Sequence, residues 1–361
     1  MHYYIISGEL SGDLYGAELI KSLQKKDSES RFTCWGGQHM KNTGVTVVRD
    51  LSKLSFVGFF EVFQNSFTII NNYTFARKHI KNMNPDVLIL IDYPGFNLKI
   101  AKYAKKIGIP VFWFIAPQVW AWKKSRVYMM RKYIDKLFVV LPFELDYFSQ
   151  EKIETYYFGH PLLDLVRTDD DSNMQQLGKP VIALMPGSRN QEINTILPVM
   201  LSVISSFPSH RFVIICASSI SRSVYENLTQ GYDVELKFEK SVFPFLEAAI
   251  VASGTATLEL AIYNIPQIVC YKLHPISYYL ARWFAKIKYI SLVNILANKP
   301  VLKELIQSDF NVENVKRELS VILRPDDKKQ IIIEYNKVKS QLGQSGCFDK
   351  ISEVMYTHLI K

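Results

Sequence analysis

The fold turns on Val87-Leu88-Ile89-Leu90-Ile91-Asp92-Tyr93-Pro94-Gly95-Phe96-Asn97. Five aliphatic residues run without polar alternation, then an acid, then a Pro-Gly turn; after it Ile100, Tyr103 and Ala104 recur at helical spacing. An unbroken aliphatic run is the mark of a strand buried on both faces, and the helix after it is what covers such a strand. The same alternation spreads outward. Residues 3–7, 111–115 and 137–141 are further strand candidates, and Ala17, Ile20 and Leu23 form a helical stripe between two of them. The first half therefore reads as a doubly wound parallel sheet.

The rhythm breaks at residues 167–178 (RTDDDSNMQQLG), which are polar and acidic, and restarts with strand candidates at 181–185, 212–216, 250–252 and 267–271. The class is α/β, with two Rossmann-like domains at 1–166 and 179–311. Residues 312–361 show helical periodicity and no strand pattern, a segment suited to packing across the domains or onto a partner chain.

A length of 361 residues favours two domains. A hydrophobic content of 48% with 21% charged residues excludes extended disorder. The formal charge of +9 favours an anionic partner, whether nucleotide, lipid surface or nucleic acid. Cys34, Cys216, Cys270 and Cys347 have no metal-site or CxxC spacing, which suits a reduced, cytosolic chain. Residues 193–210 and 107–122 are the longest weakly charged runs, but prolines and polar residues interrupt both, short of the ~20 apolar residues of a span. No secretory signal is visible at the start.

In open parallel sheets ligands bind beyond the carboxyl ends of the strands. Pro186-Gly187-Ser188-Arg189 follows one strand and precedes a helix, whose free N–H groups and dipole suit phosphate, with Arg189 adding a forked cation. A solvated arginine in an ordinary turn is the plain alternative. Ser253-Gly254-Thr255 repeats the arrangement, with Thr255 the expected N-cap and Glu259 one turn on, where a carboxylate could take ribose hydroxyls or merely sit near the positive helix end. Together the two segments favour a nucleotide site in the C-terminal half. Walker and GxGxxG loops are absent. Asp169-Asp170-Asp171 reads as a solvated charge run, so no metal and no cofactor is expected.

In the N-terminal half, Gly8-Glu9-Leu10-Ser11-Gly12-Asp13 joins glycine freedom to two carboxylates and a hydroxyl. Asp92 stands where an acid could act as general base. His160, between Gly159 and Pro161, either bonds substrate or braces a domain junction. Residues 54–63 hold four phenylalanines, read either as core or as a patch meeting acyl chains or bilayer. Trp120 and Trp122 precede Lys123, Lys124, Arg126, Arg131 and Lys132, and Tyr278 to Lys288 again mix aromatics with cations, as an anionic lipid surface would require. RNA would suit the same mixture, but no RNA-binding motif accompanies it, and no nucleic-acid partner is expected.

These segments resemble the lipid-A-disaccharide synthase family. The matches are SGELSGD at 7–13, FVGFFEV at 56–62, IDYPGFN at 91–97, PQVWAW at 117–122, LPFE at 141–144, FGHPL at 158–162, PGSRNQEI at 186–193, SGTATLE at 253–259 and KYISLVNILA at 288–297. The resemblance implies the glycosyltransferase-B fold and an inverting, metal-independent hexosyl transfer. The donor would be UDP-2,3-diacylglucosamine and the acceptor 2,3-diacylglucosamine 1-phosphate, giving UDP and the β-1′,6-linked disaccharide 1-phosphate. It implies a peripheral protein on the cytoplasmic face of the inner membrane; some members pair by exchanging C-terminal segments. Carried over residue by residue, Gly187, Ser188 and Arg189 would hold the diphosphate, and Ser253, Gly254, Thr255, Glu259 and Asn294 the rest of the donor. Ser11, Asn97, Gln118 and His160 would face the acceptor, with Asp92, Glu9 and Arg189 at the reacting centre. Phe56, Val57, Phe59, Phe60 and Phe63 would meet acyl chains or bilayer. One departure stands out: the family's D-x-P-D-F-N pattern has Gly95 in place of its second acid, which leaves Asp92 as first candidate for the base and Glu9 or Asp13 behind it. The alternatives are a UDP-sugar transferase or epimerase acting on unacylated substrate, and a catalytically silent lipid- or UDP-binding protein of the same fold.

Overall fold

The computed structural model describes residues 1–51, 66–120, 125–166, 178–273, 278 and 288–360. Phe56, Val57, Phe59, Phe60 and Phe63 lie outside the described residues, as do Trp122, Lys123, Lys124, the aspartates 169–171 and residues 279–287. The chain divides into two compact units, Met1–Asp164 with the tail from Leu342, and Leu165–Tyr278 with Ile287–Gln341.

The first unit runs β1 (His2–Ser7), α1 (Leu10–Lys26), β2 (Arg31–Gly36), α2 (Gln38–Lys41), β3 (Thr46–Asp50), α3 (Ser66–Met83), β4 (Val87–Ile91), α4 (Pro94–Lys106), β5 (Val111–Phe114), α5 (Arg126–Tyr133), β6 (Lys136–Val139), α6 (Pro142–Gln150) and β7 (Thr155–Tyr157). A short α7 (Leu162–Leu165) follows. Its parallel sheet has the order β3-β2-β1-β4-β5-β6-β7. The winding reverses between β1 and β4, whose register pairs Ser7 with Ile91. Consequently the turns that start at Gly8 and Asp92 leave the sheet side by side, at the switch point where such sheets take ligands.

Both faces of β4 are covered, which is why its sequence does not alternate. Leu88 and Leu90 join one core with Trp35, Trp113, Ile100 and Phe148. Ile89 and Ile91 point the other way and are equally buried. On that second face Tyr15 of α1 and Phe348 of the tail meet Phe114, with ring centroids 6.5 and 6.1 Å from it.

The second unit runs β8 (Val181–Met185), α8 (Asn190–Leu201), β9 (Arg211–Ile215), α9 (Arg222–Thr229), β10 (Glu235–Lys237), β11 (Leu246–Ala252), α10 (Thr255–Ile262), β12 (Gln267–Tyr271), α11 (Leu292–Ala297), β13 (Glu304–Ile306), α12 (Val312–Ile322) and α13 (Pro325–Gln341). Its sheet, also parallel, has the order β10-β9-β8-β11-β12-β13 and reverses between β8 and β11. Met185 pairs with Val251, so the turns beginning at Pro186 and Ser253 again emerge together.

The tail is helical and serves both units. Tyr335 of α13 is fully buried and takes a bond from Gln267 Nε2 at 3.1 Å. The last helix, α14 (Cys347–Leu359), packs on α1, where Ser22 Oγ donates to Asp349 at 2.7 Å. Asp164 receives the Gly346 and Phe348 N–H groups and so caps the start of α14. Among the described residues no helix is long and apolar enough to cross a membrane.

Candidate functional site

In the first unit the site residues gather where β1, β4 and β5 end. The backbone there is strained. Asp92 and Tyr93 both lie in the left-handed region, at φ 47° and 51°, and Ile115 after β5 does so at 64°. Such conformations disfavour non-glycine residues, β-branched ones most, and persist only where surrounding bonds hold them. The bonds are visible. Asn97, fully buried, donates from Nδ2 to the Asp92 carbonyl at 2.7 Å. The Asp92 N–H reaches the Phe114 carbonyl at 3.2 Å, and Trp113 Nε1 donates to the Ile115 carbonyl at 3.0 Å.

The Tyr93 ring packs against Gly8 so closely that a Cβ at position 8 would lie 2.3 Å from its Cγ. Only glycine fits there. Burial pushes the Tyr93 hydroxyl up to about 12, with the Glu9 carboxylate adding to it. Glu9, at the N-cap of α1, therefore shares this place with the 92–97 turn. Asp13 does not: its buried carboxylate accepts the Gly37, His39 and Met40 N–H groups at 2.6, 2.9 and 3.2 Å and caps α2. That removes Asp13 as a stand-in base. Ser11 is half-buried and Gln118 is exposed beyond β5. A Cβ at Gly95 would meet nothing within 4 Å, so the missing side chain leaves room rather than a filled space.

His160, read as either an acceptor contact or a brace, carries internal bonds in this structure. It is buried, its Nδ1 accepts the Leu162 N–H at 3.1 Å, and its backbone N–H bonds the Leu342 carbonyl of the tail at 2.9 Å. Burial pushes the imidazole down to about 3, so it stays neutral. Asn97 likewise holds the strand end from below. Glu144 is a group whose role sequence reasoning missed. Lying in the LPFE segment, it is buried, accepts Trp120 Nε1 at 3.0 Å and the Leu141 N–H at 3.1 Å, and burial pushes it up to about 7 against those bonds. It ties the PQVWAW segment to the end of β6.

In the second unit, Arg189 is the N-cap of α8 and Gly187 makes the turn at φ 112°. Glu192, three residues on, closes over the turn. Its Oε2 accepts the Ser188 N–H at 3.0 Å and its Oε1 pairs with Arg189 at 2.5 Å. A Cβ on Gly187 would lie 2.4 Å from that carboxylate. The sequence signal for Glu192 is an acid three residues after a helix cap, a recognisable capping pattern. At Tyr271, ending β12, burial and then the Glu192 carboxylate raise the hydroxyl, while Arg189 opposes the rise.

Beside this turn, α10 begins at Thr255 with Gly254, not Thr255, in the N-cap position. Thr257 Oγ1 bonds back to the Gly254 carbonyl at 2.8 Å. Glu259 is held by Lys240, whose Nζ lies 2.5 and 2.6 Å from its two oxygens. Ser253 Oγ donates to the Ile290 carbonyl at 3.0 Å, joining the turn to the segment that leads into α11. Asn294 in α11, expected near the donor, clamps the segment that leads to β13. It is fully buried, with Nδ2 on the Leu302 carbonyl and on Glu304, each at 2.9 Å, and Oδ1 on the Leu302 N–H at 2.8 Å.

Each unit thus carries a cluster at a sheet's switch point: one with carboxylates on a strained turn, the other with a helix N-terminus, an arginine and a carboxylate. Residues 3–353 match the family model for lipid-A-disaccharide synthetase. The chain belongs to this family. A Syntrophus aciditrophicus lipid-A-disaccharide synthase is 36% identical, covering 99% of this chain and 97% of its own. A Coxiella burnetii member is 32% identical over 98% and 97%, and the Legionella pneumophila lipid-A-disaccharide synthase 1 is 33% identical over 94% and 93%. Among solved structures, the UDP complex of S. aureus MnaA aligns with a TM-score of 0.69 at 13% identity over 99% and 97% of the two chains. Acinetobacter baumannii MurG aligns at 0.57 and 12% over 99% of each. These structural likenesses establish the glycosyltransferase-B fold. The family establishes the function of a lipid-A-disaccharide synthase, a glycosyltransferase of lipid A biosynthesis that uses a UDP-sugar.

Proposed function

We propose that the protein transfers the diacylglucosamine of UDP-2,3-diacylglucosamine to the 6-hydroxyl of 2,3-diacylglucosamine 1-phosphate in a single inverting displacement. The acceptor hydroxyl loses its proton to a base, its oxygen attacks the anomeric carbon from the face opposite UDP, and UDP leaves. Asp92 is the proposed base, on a turn held by Asn97, with Glu9 beside it to orient the acceptor. Ser11 and Gln118 line the approach.

The observation that carries this reading is the α8 N-terminus, with Ser188 and Arg189 at the end of β8. Negative charge grows on the leaving diphosphate, and fixed N–H groups with a guanidinium stabilise it there. Gly187 keeps the turn open to the phosphates, Ser253, Gly254 and Thr255 frame the nucleotide, and the Glu259 carboxylate accepts from the ribose hydroxyls once Lys240 releases its oxygens.

The acylated substrates place the enzyme against the cytoplasmic face of the inner membrane as a peripheral protein. Phe67 and Ile70, 81% and 60% exposed on α3 just after the phenylalanine-rich stretch, support that contact. The test is UDP release with mass detection of the product in detergent micelles, with UDP-N-acetylglucosamine as the unacylated control. Arg189→Ala should lower turnover by about 10²-fold or more. Normal turnover in that variant, or equal use of the unacylated donor, would overturn the assignment.

A further inference from the structure

The outer helices of the first unit enclose a groove of about 690 Å³ that no step of the transfer uses. Arg77 of α3, Lys99, Lys102, Lys105 and Lys106 of α4, and Lys132 of α5 line it. Among the described residues no carboxylate lines it. Six cations gathered in one concavity repel one another, and an anion placed among them feels their summed field.

The groove is also partly preorganised. The Arg77 guanidinium lies 4.6 Å from the Tyr103 ring centroid and 5.5 Å from that of Tyr73, and Lys132 Nζ lies 5.7 Å from that of Tyr133. Aromatic faces fix a cation without neutralising it, and their hydroxyls add donors for phosphate oxygens. Lys105 is the cation drawn aside, bonded to Asp135 at 2.6 Å.

Apolar side chains continue the same helix faces. Ile70, Tyr73 and Arg77 follow one another at helical spacing on α3, and Tyr128, 65% exposed, precedes Lys132 by four residues on α5. Cations next to exposed apolar groups on adjoining helices match a bilayer interface, in which the head group is anionic and the layer beneath it apolar.

We propose that this groove is a head-group site for the phosphate of an anionic membrane lipid, separate from the acceptor cluster at the strand ends. It rests on the bilayer reading above for its occupant and on the groove's own charge for its location.

The test is flotation of the full chain with phosphatidylcholine vesicles, with and without phosphatidylglycerol. Wild type should bind the anionic vesicles and be left behind by the neutral ones. Replacing the exposed Lys99, Lys102 and Lys106 by Gln should weaken that binding on the order of 100-fold, at roughly fivefold per cation, while UDP release in micelles stays at the wild-type level. A control that removes the same charge from the other unit, Arg324→Gln with Lys329→Gln and Lys337→Gln, should lose only a few-fold, since long-range charge is screened. Equal loss in the two triple variants would overturn the groove and leave the bilayer reading standing. Wild type that floats with neither vesicle would overturn the bilayer reading together with the occupant. Release of bound protein by inorganic phosphate at constant ionic strength would replace the lipid by a free anion.

Discussion

The two clusters are held in different ways. At the ends of β1, β4 and β5 the geometry is set by backbone: two successive left-handed residues, a third after β5, and buried side chains that bond to main-chain atoms. At the ends of β8 and β11 charged side chains that bond to one another add to the turn geometry, Glu192 to Arg189 and Lys240 to Glu259. A ligand can displace an ion pair that is partly exposed, at little cost. It cannot relax a strand end pinned from inside the core. If the first cluster takes the acceptor and the second the donor, as proposed, the acceptor side is preorganised and the donor side would exchange internal partners for a ligand.

Removing the proposed base is the strongest way to break this contrast. Asp92→Ala should lower turnover by about 10² to 10⁴-fold, the range for a general base, with UDP affinity unchanged. A loss smaller than about tenfold would move the role to Glu9 and leave Asp92 as part of the turn.

A smaller effect is expected at Glu144, where stability rather than turnover reports on the pinning. Its folded value, about 7, lies above the ordinary 4.5. The folded state therefore holds this proton more tightly than the unfolded chain does. The sign follows: its contribution is whole below 4.5 and fades as pH rises through 7, by up to about 1.4 kcal/mol per pH unit. Glu144→Gln has no such slope and loses one acceptor for Trp120 or Leu141, a cost of about 1–3 kcal/mol at acid pH. Thermal unfolding across that window should show the wild-type advantage shrinking as pH rises. An advantage that grows with pH would mean that the bonds to Trp120 and Leu141 outweigh burial.

The long strands and the turns after them were legible because continuous aliphatic runs admit few other structures. The register of β1 on β4 and of β8 on β11 then brings the quoted turns together in pairs. What stayed hidden depends on partners distant in sequence. Asn97, His160 and Asn294 are types that serve equally as ligand contacts and as braces; burial and bonding separate the two roles, and neither is written in the local sequence. Glu144 meets Trp120 across 24 positions. The three-residue β10 and β13 contain charged residues and lack the aliphatic run by which β4 is recognised.

The gentlest probe is Glu192→Gln, and it asks whether the ion pairs of the donor cluster compete with the ligand or position its contacts. The carboxylate now accepts the Ser188 N–H and engages Arg189, the two groups proposed to take the diphosphate. If it competes, the amide, which is uncharged, should let UDP bind about two- to fivefold more tightly, because a pair whose side chains are 34% and 25% exposed is worth no more than about 1 kcal/mol. Calorimetric titration of UDP into wild type and variant reads this directly. Weaker binding in the variant would show that Glu192 aims Arg189 at the phosphates. The donor cluster would then be preorganised as well, by side chains where the acceptor cluster uses backbone.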